Sequence, residues 1–257
     1  MTATDARLVF LAGLAAGTIN TVVGSGSLIT YTTLISLGYP PVLSNVSNNI
    51  GLVPGALSGA YGYRRELSGQ RDRLLRIVPA SLLGGLTGSL LLLALPSGVF
   101  RRVVIVLIML ALILVIGQPV LASRLAARRA KRSTKSEPTS GQPIGIALLA
   151  LVFTTGIYGG YFGAAQGIIL IAFLGIFIDD NLQRLNATKN VLAMSVNLIA
   201  STVFIVSTNV DWKIVGCIAS GSAIGGQIGA TVGRRLDPKA LRAMIVVIGV
   251  VALIRLL

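Results

Sequence analysis

Residues 8–49 read LVFLAGLAAGTINTVVGSGSLITYTTLISLGYPPVLSNVSNN, and the fold turns on how the two apolar runs in this stretch are joined. The runs 8–23 and 27–38 flank Gly24-Ser25-Gly26-Ser27. As helix they reach about 24 Å and about 18 Å, at about 1.5 Å per residue. A bilayer core of about 30 Å takes about 20 helical residues, so neither run makes a comfortable span. Glycine and serine break a helix between them, and irregular backbone at membrane depth persists only against protein or a wet cavity. The stretch therefore predicts a broken or re-entrant helix pair.

Composition supplies the bilayer. The chain has 257 residues, of which 54% are hydrophobic and 12% charged, against roughly 25% charged in a soluble domain. Mean hydropathy is +0.84. Such a chain has too little charge to cover a water-soluble surface and too much apolar character to stay disordered. Its 30 glycines follow no Gly-X-Y period and suit closely packed membrane helices. The net charge of +14 invites a nucleic-acid partner. The cations, however, sit in short loops between apolar runs, where the positive-inside rule asks for them, so no nucleic-acid binding is expected. One cysteine and no histidine exclude an internal disulfide and a zinc site. No metal or cofactor is expected.

Further apolar runs span 48–63, 77–95, 103–121, 144–162, 167–178, 190–207, 213–230 and 241–254. Between 122 and 143 lie six basic residues, Glu137, Pro138 and Pro143. This stretch reads as a linker dividing an N-terminal membrane repeat, 1–121, from a C-terminal one, 144–257. The loops near 64–76, 122–143, 179–189 and 231–242 hold 17 of the 22 basic residues. That asymmetry predicts a multi-pass protein of the cell's inner membrane, with the linker cytoplasmic and both termini outside. Five segments per half is an odd number, so the halves are expected to be inverted repeats.

The second half repeats the first. Asn45-Val46-Ser47-Asn48-Asn49 matches Asn186-Ala187-Thr188-Lys189-Asn190, and glycines stand nineteen residues before each, at Gly26 and Gly167. Gly163-Ala164-Ala165-Gln166-Gly167 is the second break. Each half reads as a Gly-rich break, a short apolar run and an Asn/hydroxyl cluster opening the next helix. The fold class expected is an all-α polytopic membrane protein of two inverted repeats of about five helical segments. The paired broken or re-entrant helices should meet near the midplane. Corresponding short, Gly-interrupted segments mark the substrate site of a secondary transporter.

The candidate substrate-binding residues follow from that placement. Ser25, Gly26, Ser27, Gln166 and Gly167 lie at the breaks. Asn45, Ser47, Asn48 and Asn49 form one cluster, with an ordinary helix cap as the alternative reading. Asn186, Thr188, Lys189 and Asn190 form the other. Lys189, near an apolar helix start, combines three donors with a positive dipole end and suits an oxyanion; its alternative is an interfacial lysine reaching for headgroups. Gly221, Gly225, Gly229 and Gly233 recur every four residues and read as a packing stripe, as do Gly84 with Gly88 and Gly55 with Gly59. All eight acids lie in loops or at segment ends, so no buried acid–base pair, nucleophile or proton relay is visible. An enzyme is not expected.

The run Gly13–Ser27, the Asn45–Asn49 cluster, the basic central stretch and the second copy at Gly156–Asn190 resemble the sulfite exporter TauE/SafE family over essentially the whole chain. These are bacterial and archaeal membrane permeases. The resemblance implies a two-repeat membrane fold and transport of sulfite, sulfonates, thiosulfate or related organic anions. The family's first motif usually carries a run of glycines, which Ser25 and Ser27 interrupt here. The reading is a permease exporting a small sulfur-containing anion by alternating access. Its rivals are a carrier of a non-sulfur organic anion, an accessory protein for another transporter, and a passive anion channel.

Overall fold

The computed structural model describes residues 1–133, 145–232 and 238–256. Among them the chain forms helices and no strand: α1 (Ala3–Val22), α2 (Ser27–Ser36), α3 (Pro41–Gly62), α4 (Arg64–Leu67), α5 (Arg71–Ala94), α6 (Ser97–Ser133), α7 (Ile146–Tyr161), α8 (Gln166–Phe177), α9 (Leu182–Ser207), α10 (Trp212–Thr231) and α11 (Pro238–Leu256). Four stretches are long and apolar enough to cross a membrane: α5, Gly98–Val120 of α6, α9 and α10. Large apolar side chains face outward, and a polar cluster lies buried within an apolar core. Leu75 and Leu83 on α5 and Ile113 and Ile116 on α6 are exposed, whereas Asn45, Ser47, Asn48, Thr188 and Lys189 are buried. That inversion of the water-soluble pattern marks an all-α, multi-pass membrane protein.

The first helix of each half packs on the fourth long helix of the other: α1 on α10, and α7 on α5. Likewise α3 packs on α10 and α9 on α5, α2 on α11 and α8 on α6, while α3 meets α9 and α6 meets α11. These principal contacts are unchanged when the long helices of one half are exchanged for those of the other.

Glycine makes the cross-packing close. A methyl group on Gly221 would overlap the Phe10 carbonyl oxygen, and one on Gly225 the Leu14 carbonyl oxygen. One on Gly229 would come within 2.6 Å of the Thr18 carbonyl oxygen. In the α5–α7 pair, methyls on Gly84 and Gly88 would overlap the carbonyl oxygens of Phe153 and Ile157. Gly55 lies against Ser222 and Gly59 against Thr21. Between membrane helices the drive is packing and hydrogen bonding, so such close approach carries much of the association. Gly233 lies outside the described residues.

Several element ends differ from the sequence expectation, each for a local reason. Helix α1 begins five residues before the apolar run, because Thr2 and Asp5 form a reciprocal capping box. Its 20 residues reach about 30 Å, longer than the apolar run alone, while α2 with 10 residues and α8 with 12 stay short. Helix α3 starts at Pro41, where proline is pre-set for a first helical turn. The Asn45–Asn49 cluster thus lies inside the helix and does not cap it. Helix α6 runs on to Ser133, so residues 122–133, expected as linker, are helical. They hold Ala, Leu, Arg and Lys, all strong helix formers, with no Gly or Pro. The remainder of the expected linker, 134–143, including Lys135, Glu137, Pro138 and Pro143, lies outside the described residues.

Candidate functional site

The two breaks are built alike. At the end of α1, the amide of Val23 donates to the Ile19 carbonyl at 2.7 Å and that of Gly24 to the same oxygen at 3.0 Å. At the end of α7, the amides of Phe162 and Gly163 donate to the Tyr158 carbonyl at 3.0 and 3.1 Å. Gly24 has φ +90° and Gly163 φ +75°, a left-handed turn that glycine enters without a Cβ penalty. Beyond each turn a short helix starts, α2 at Ser27 and α8 at Gln166. Asn20 spans the first break: its Oδ1 accepts from the Gly26 amide at 2.7 Å, and its Nδ2 lies 3.5 Å from Ser27 Oγ. The breaks touch through the Gly167 amide, which donates to the Gly24 carbonyl at 3.0 Å.

A cavity of about 30 Å³ opens beside that contact. It is lined by Asn20, Thr21, Gly24 and Ser27 of the first break, Gly163, Gln166 and Gly167 of the second, Ala56 of α3, and Lys189, Asn190, Ala193 and Asn197 of α9. Lys189 is 1% exposed, so it does not reach for headgroups. Its Nζ donates to the carbonyls of Asn20 and Thr21 at 3.1 and 3.2 Å. These carbonyls stand in the last turn of α1, where the helix itself offers no donor. The Thr21 carbonyl also receives Asn186 Nδ2 and Asn190 Nδ2, each at 3.3 Å. Three side chains of α9 thus converge on one backbone oxygen. Gln166 is 3% exposed and its Nε2 has no hydrogen-bond partner. Lys189 is the one ionisable residue lining the cavity among the described residues.

The first cluster does the mirror work. Asn45 Nδ2 donates to the carbonyl of Tyr161, the last residue of α7, at 3.0 Å. Asn48 accepts a short hydrogen bond from Thr30 Oγ1 and donates to the Ser27 carbonyl at 3.4 Å. Asn49 accepts from Ser201 Oγ at 3.0 Å. Ser25 and Ser47 are fully buried with hydroxyls that have no partner.

Of the residues expected from sequence, the cavity thus gathers Ser27, Gln166, Gly167, Lys189 and Asn190. Ser25, Gly26, Asn45, Ser47, Asn48, Asn49, Asn186 and Thr188 lie around it and do not line it; several of them fasten helix ends and neighbouring helices. The dipole ends differ as well. Lys189 is the eighth residue of α9, whose cap is Asn181, so the helix N-termini at the cavity belong to α2 and α8. Thr21 and Asn197 are absent from the sequence expectation, Gly24 and Gly163 enter it only as helix breakers, and Asn20, a polar group in an apolar run, reads from sequence as an interhelical hydrogen-bonding residue. Asn197 carried a usable signal: Lys189, Ala193 and Asn197 recur every four residues, one face of a helix.

At the start of α9 a polar cluster ties the halves together. Asp180 pairs with Arg73 at 2.6 Å and with Arg184 at 3.0 Å. Gln70, 1% exposed, accepts from Arg73 and Thr188 at 2.7 and 2.8 Å and donates to the carbonyls of Glu66 and Arg184 at 2.7 and 3.1 Å. Partial burial pushes the Asp180 carboxyl up, but hydrogen bonds from Arg73, the Asn181 amide and Arg184 outweigh it and hold the carboxyl below its ordinary range. Among the described residues no group of His, Cys, Asp and Glu side chains could hold a metal ion.

Comparison with known proteins agrees with this architecture. The model of the family described as "Sulfite exporter TauE/SafE" matches residues 9–256. A "Probable membrane transporter protein" of Haemophilus influenzae is 25% identical over 240 residues, covering 93% of this chain and 89% of that protein. "Probable membrane transporter protein YfcA" of Escherichia coli K12 is 24% identical over 251 residues, 97% of this chain and 88% of its own length. "Probable membrane transporter protein ORF9" of a Sinorhizobium species is 24% identical over 248 residues, 96% and 90% of the two chains. With a match running from within α1 to the end of α11, the chain belongs to the sulfite exporter TauE/SafE family of membrane transporters.

Proposed function

We propose that the chain is a secondary permease of the plasma membrane that exports a small sulfur-containing anion of the sulfite, sulfonate or thiosulfate class. Two inverted repeats alternate access to a site between the breaks. The exchangeable packing of the two sets of long helices supports the repeat. The excess of basic residues at the ends bearing α4 and the start of α9 supports a cytoplasmic position for those ends, with both termini outside.

One observation carries the reading: a buried lysine with no carboxylate partner among the described residues faces a small polar cavity where two broken helices touch. Buried charges are ordinarily paired, and an arriving anion supplies the partner. Beside it, Gln166 Nε2 is a buried donor without an acceptor. Ser27, Asn190 and Asn197 add neutral polar contacts, and the Asn45 and Asn186 clusters hold the helix ends that shape the site. The family's name supports a sulfur oxyanion, and the relatives' names support transport. Export needs no coupling ion: a negative interior favours exit of an anion by about 2.3 kcal/mol per charge per 100 mV.

The test is efflux of radiolabelled sulfite, methanesulfonate and thiosulfate from liposomes holding the purified chain, under an imposed potential, beside Lys189→Ala. Saturable efflux that is accelerated by a negative interior and weakened by the substitution is expected. Efflux indifferent to Lys189 removes that residue from the site. No flux of any of the three anions, from folded protein, overturns the sulfur-anion assignment and favours an accessory role or another substrate.

A further inference from the structure

We infer that the cavity is matched to a single negative charge, so that the permease takes its substrate as a compact monoanion and rejects dianions of the same size and shape. This inference rests on the anion-permease reading above and narrows it.

The charge at the cavity can be counted. Each break contributes one helix end of each sign. Helices α1 and α7 bring C-termini, worth about half a negative charge apiece, and α2 and α8 bring N-termini, worth about half a positive charge apiece. The four ends cancel. Among the described residues the remaining lining groups are neutral except Lys189, and the ion pairs formed by Asp180 involve Arg73 and Arg184, not Lys189. With Lys189 protonated, the local balance is thus close to one positive charge.

A monoanion brings that balance to zero. A dianion leaves about one negative charge without a counter-ion inside a site walled by protein, where charge is poorly screened. The donors point the same way. Lys189 Nζ has three hydrogens and gives two to backbone carbonyls, leaving one for a ligand. Gln166 Nε2 offers neutral hydrogens from the start of α8 in the same half. One charged and a few neutral donors suit a singly charged group. The volume sets the size. About 30 Å³ accepts two or three waters, at about 10–15 Å³ each, which is near the bulk of an oxyanion of four or five heavy atoms. For sulfur(IV) the form recognised is hydrogensulfite, not sulfite; for sulfonates it is the smallest members.

Methanesulfonate and sulfate separate charge from shape, since both place four heavy atoms tetrahedrally about sulfur and differ in valence. The purified full chain in detergent is loaded with [35S]methanesulfonate, and unlabelled methanesulfonate, nitrate or sulfate displaces it at constant ionic strength. Nitrate and methanesulfonate should compete, and sulfate should need at least about tenfold more, a discrimination typical of a like charge left unpaired. Lys189→Gln should lose methanesulfonate binding and Lys189→Arg should keep part of it. Should Lys189→Gln fail to fold, the valence comparison on the unaltered protein decides alone. Sulfate competing as well as methanesulfonate overturns the charge match and leaves the permease standing. Absence of methanesulfonate binding also overturns it, and the liposome efflux then shows whether the permease reading falls with it.

Discussion

The amide of Gly167 donates to the carbonyl of Gly24 at 3.0 Å, and the two glycines lie so close that a Cβ on either would overlap the other's backbone. The two halves of the chain therefore touch, backbone to backbone, at the point where each first helix is interrupted. Gly24 also has φ +90°, so alanine there would meet both strain and collision. Gly24→Ala should destabilise the protein by roughly 2–6 kcal/mol, combining about 1–3 for strained backbone with about 1–3 for overpacking. Gly38 separates the two effects: its φ is +86° but nothing lies within 4 Å of an added Cβ. Gly38→Ala should cost only the backbone strain, and thermal melts in detergent would show the order. Equal losses would mean that the contact with Gly167 contributes nothing.

Helix α10 contains a matched pair of its own. A methyl on Gly225 would collide with the Leu14 carbonyl of α1, while one on Gly216 meets nothing within 4 Å. Gly225→Ala should lose about 1–3 kcal/mol. Gly216→Ala should be neutral or gain up to about 1 kcal/mol through helix propensity. Denaturation of both variants under one set of conditions checks the contrast, and a stabilised Gly225→Ala would refute the close-packing role of the stripe.

The Asp180 carboxyl is held below its ordinary range, so its contribution to stability has a definite direction in pH. It is present above the unfolded value of about 3.9 and is lost as pH falls from there through the lower folded value. Between pH 5 and 8 it should be constant. Asp180→Asn should remove it at all these pH values, and acid melts should then flatten relative to the unaltered protein. An unchanged acid limb would show that Arg73 and Arg184 gain nothing from Asp180.

Asn45 and Asn186 perform the same task in opposite halves, each donating to a carbonyl in the last turn of the other half's first helix. Their removal should not cost the same. Asn45→Ala takes a donor from the Tyr161 carbonyl, at about 1–3 kcal/mol for a buried acceptor left bare. Asn186→Ala leaves the Thr21 carbonyl with Lys189 and Asn190 and should cost less than 1 kcal/mol or so. Comparing the two melting midpoints tests this, and the reverse order would contradict the hydrogen-bond assignment.

The breaks were legible because they rest on local chemistry: Gly24–Ser27 and Gly163–Gln166 separate runs too short to be independent spans. Helix starts were less so. The capping box at Thr2 and Asp5 adds a turn and a half to α1 with few apolar residues, and polar Asn45, Asn48 and Asn49 hid the beginning of α3. What periodicity and spacing cannot carry is the pairing between halves. That α1 lies on α10, and that Asn186 reaches back to Thr21, depends on contacts between residues more than a hundred positions apart. The same holds for the cavity. Lys189 could be singled out from sequence, but not that it would fasten the end of α1 or that Asn197 would share its wall.

The carbonyl of Thr21 has two lone pairs and three donors aimed at it. An empty anion site faces a difficulty of its own, since a cluster of donors must rest somewhere while no guest is present. A carboxylate would quiet them but would then compete with every incoming anion. A neutral backbone oxygen holds an ammonium less tightly than a full negative charge would, and one with a surplus donor can release a partner to a guest without being left bare. Under the proposed anion-permease reading, the donors of this protein are held by the end of a helix, an acceptor that can hold donors and let them go without ever titrating.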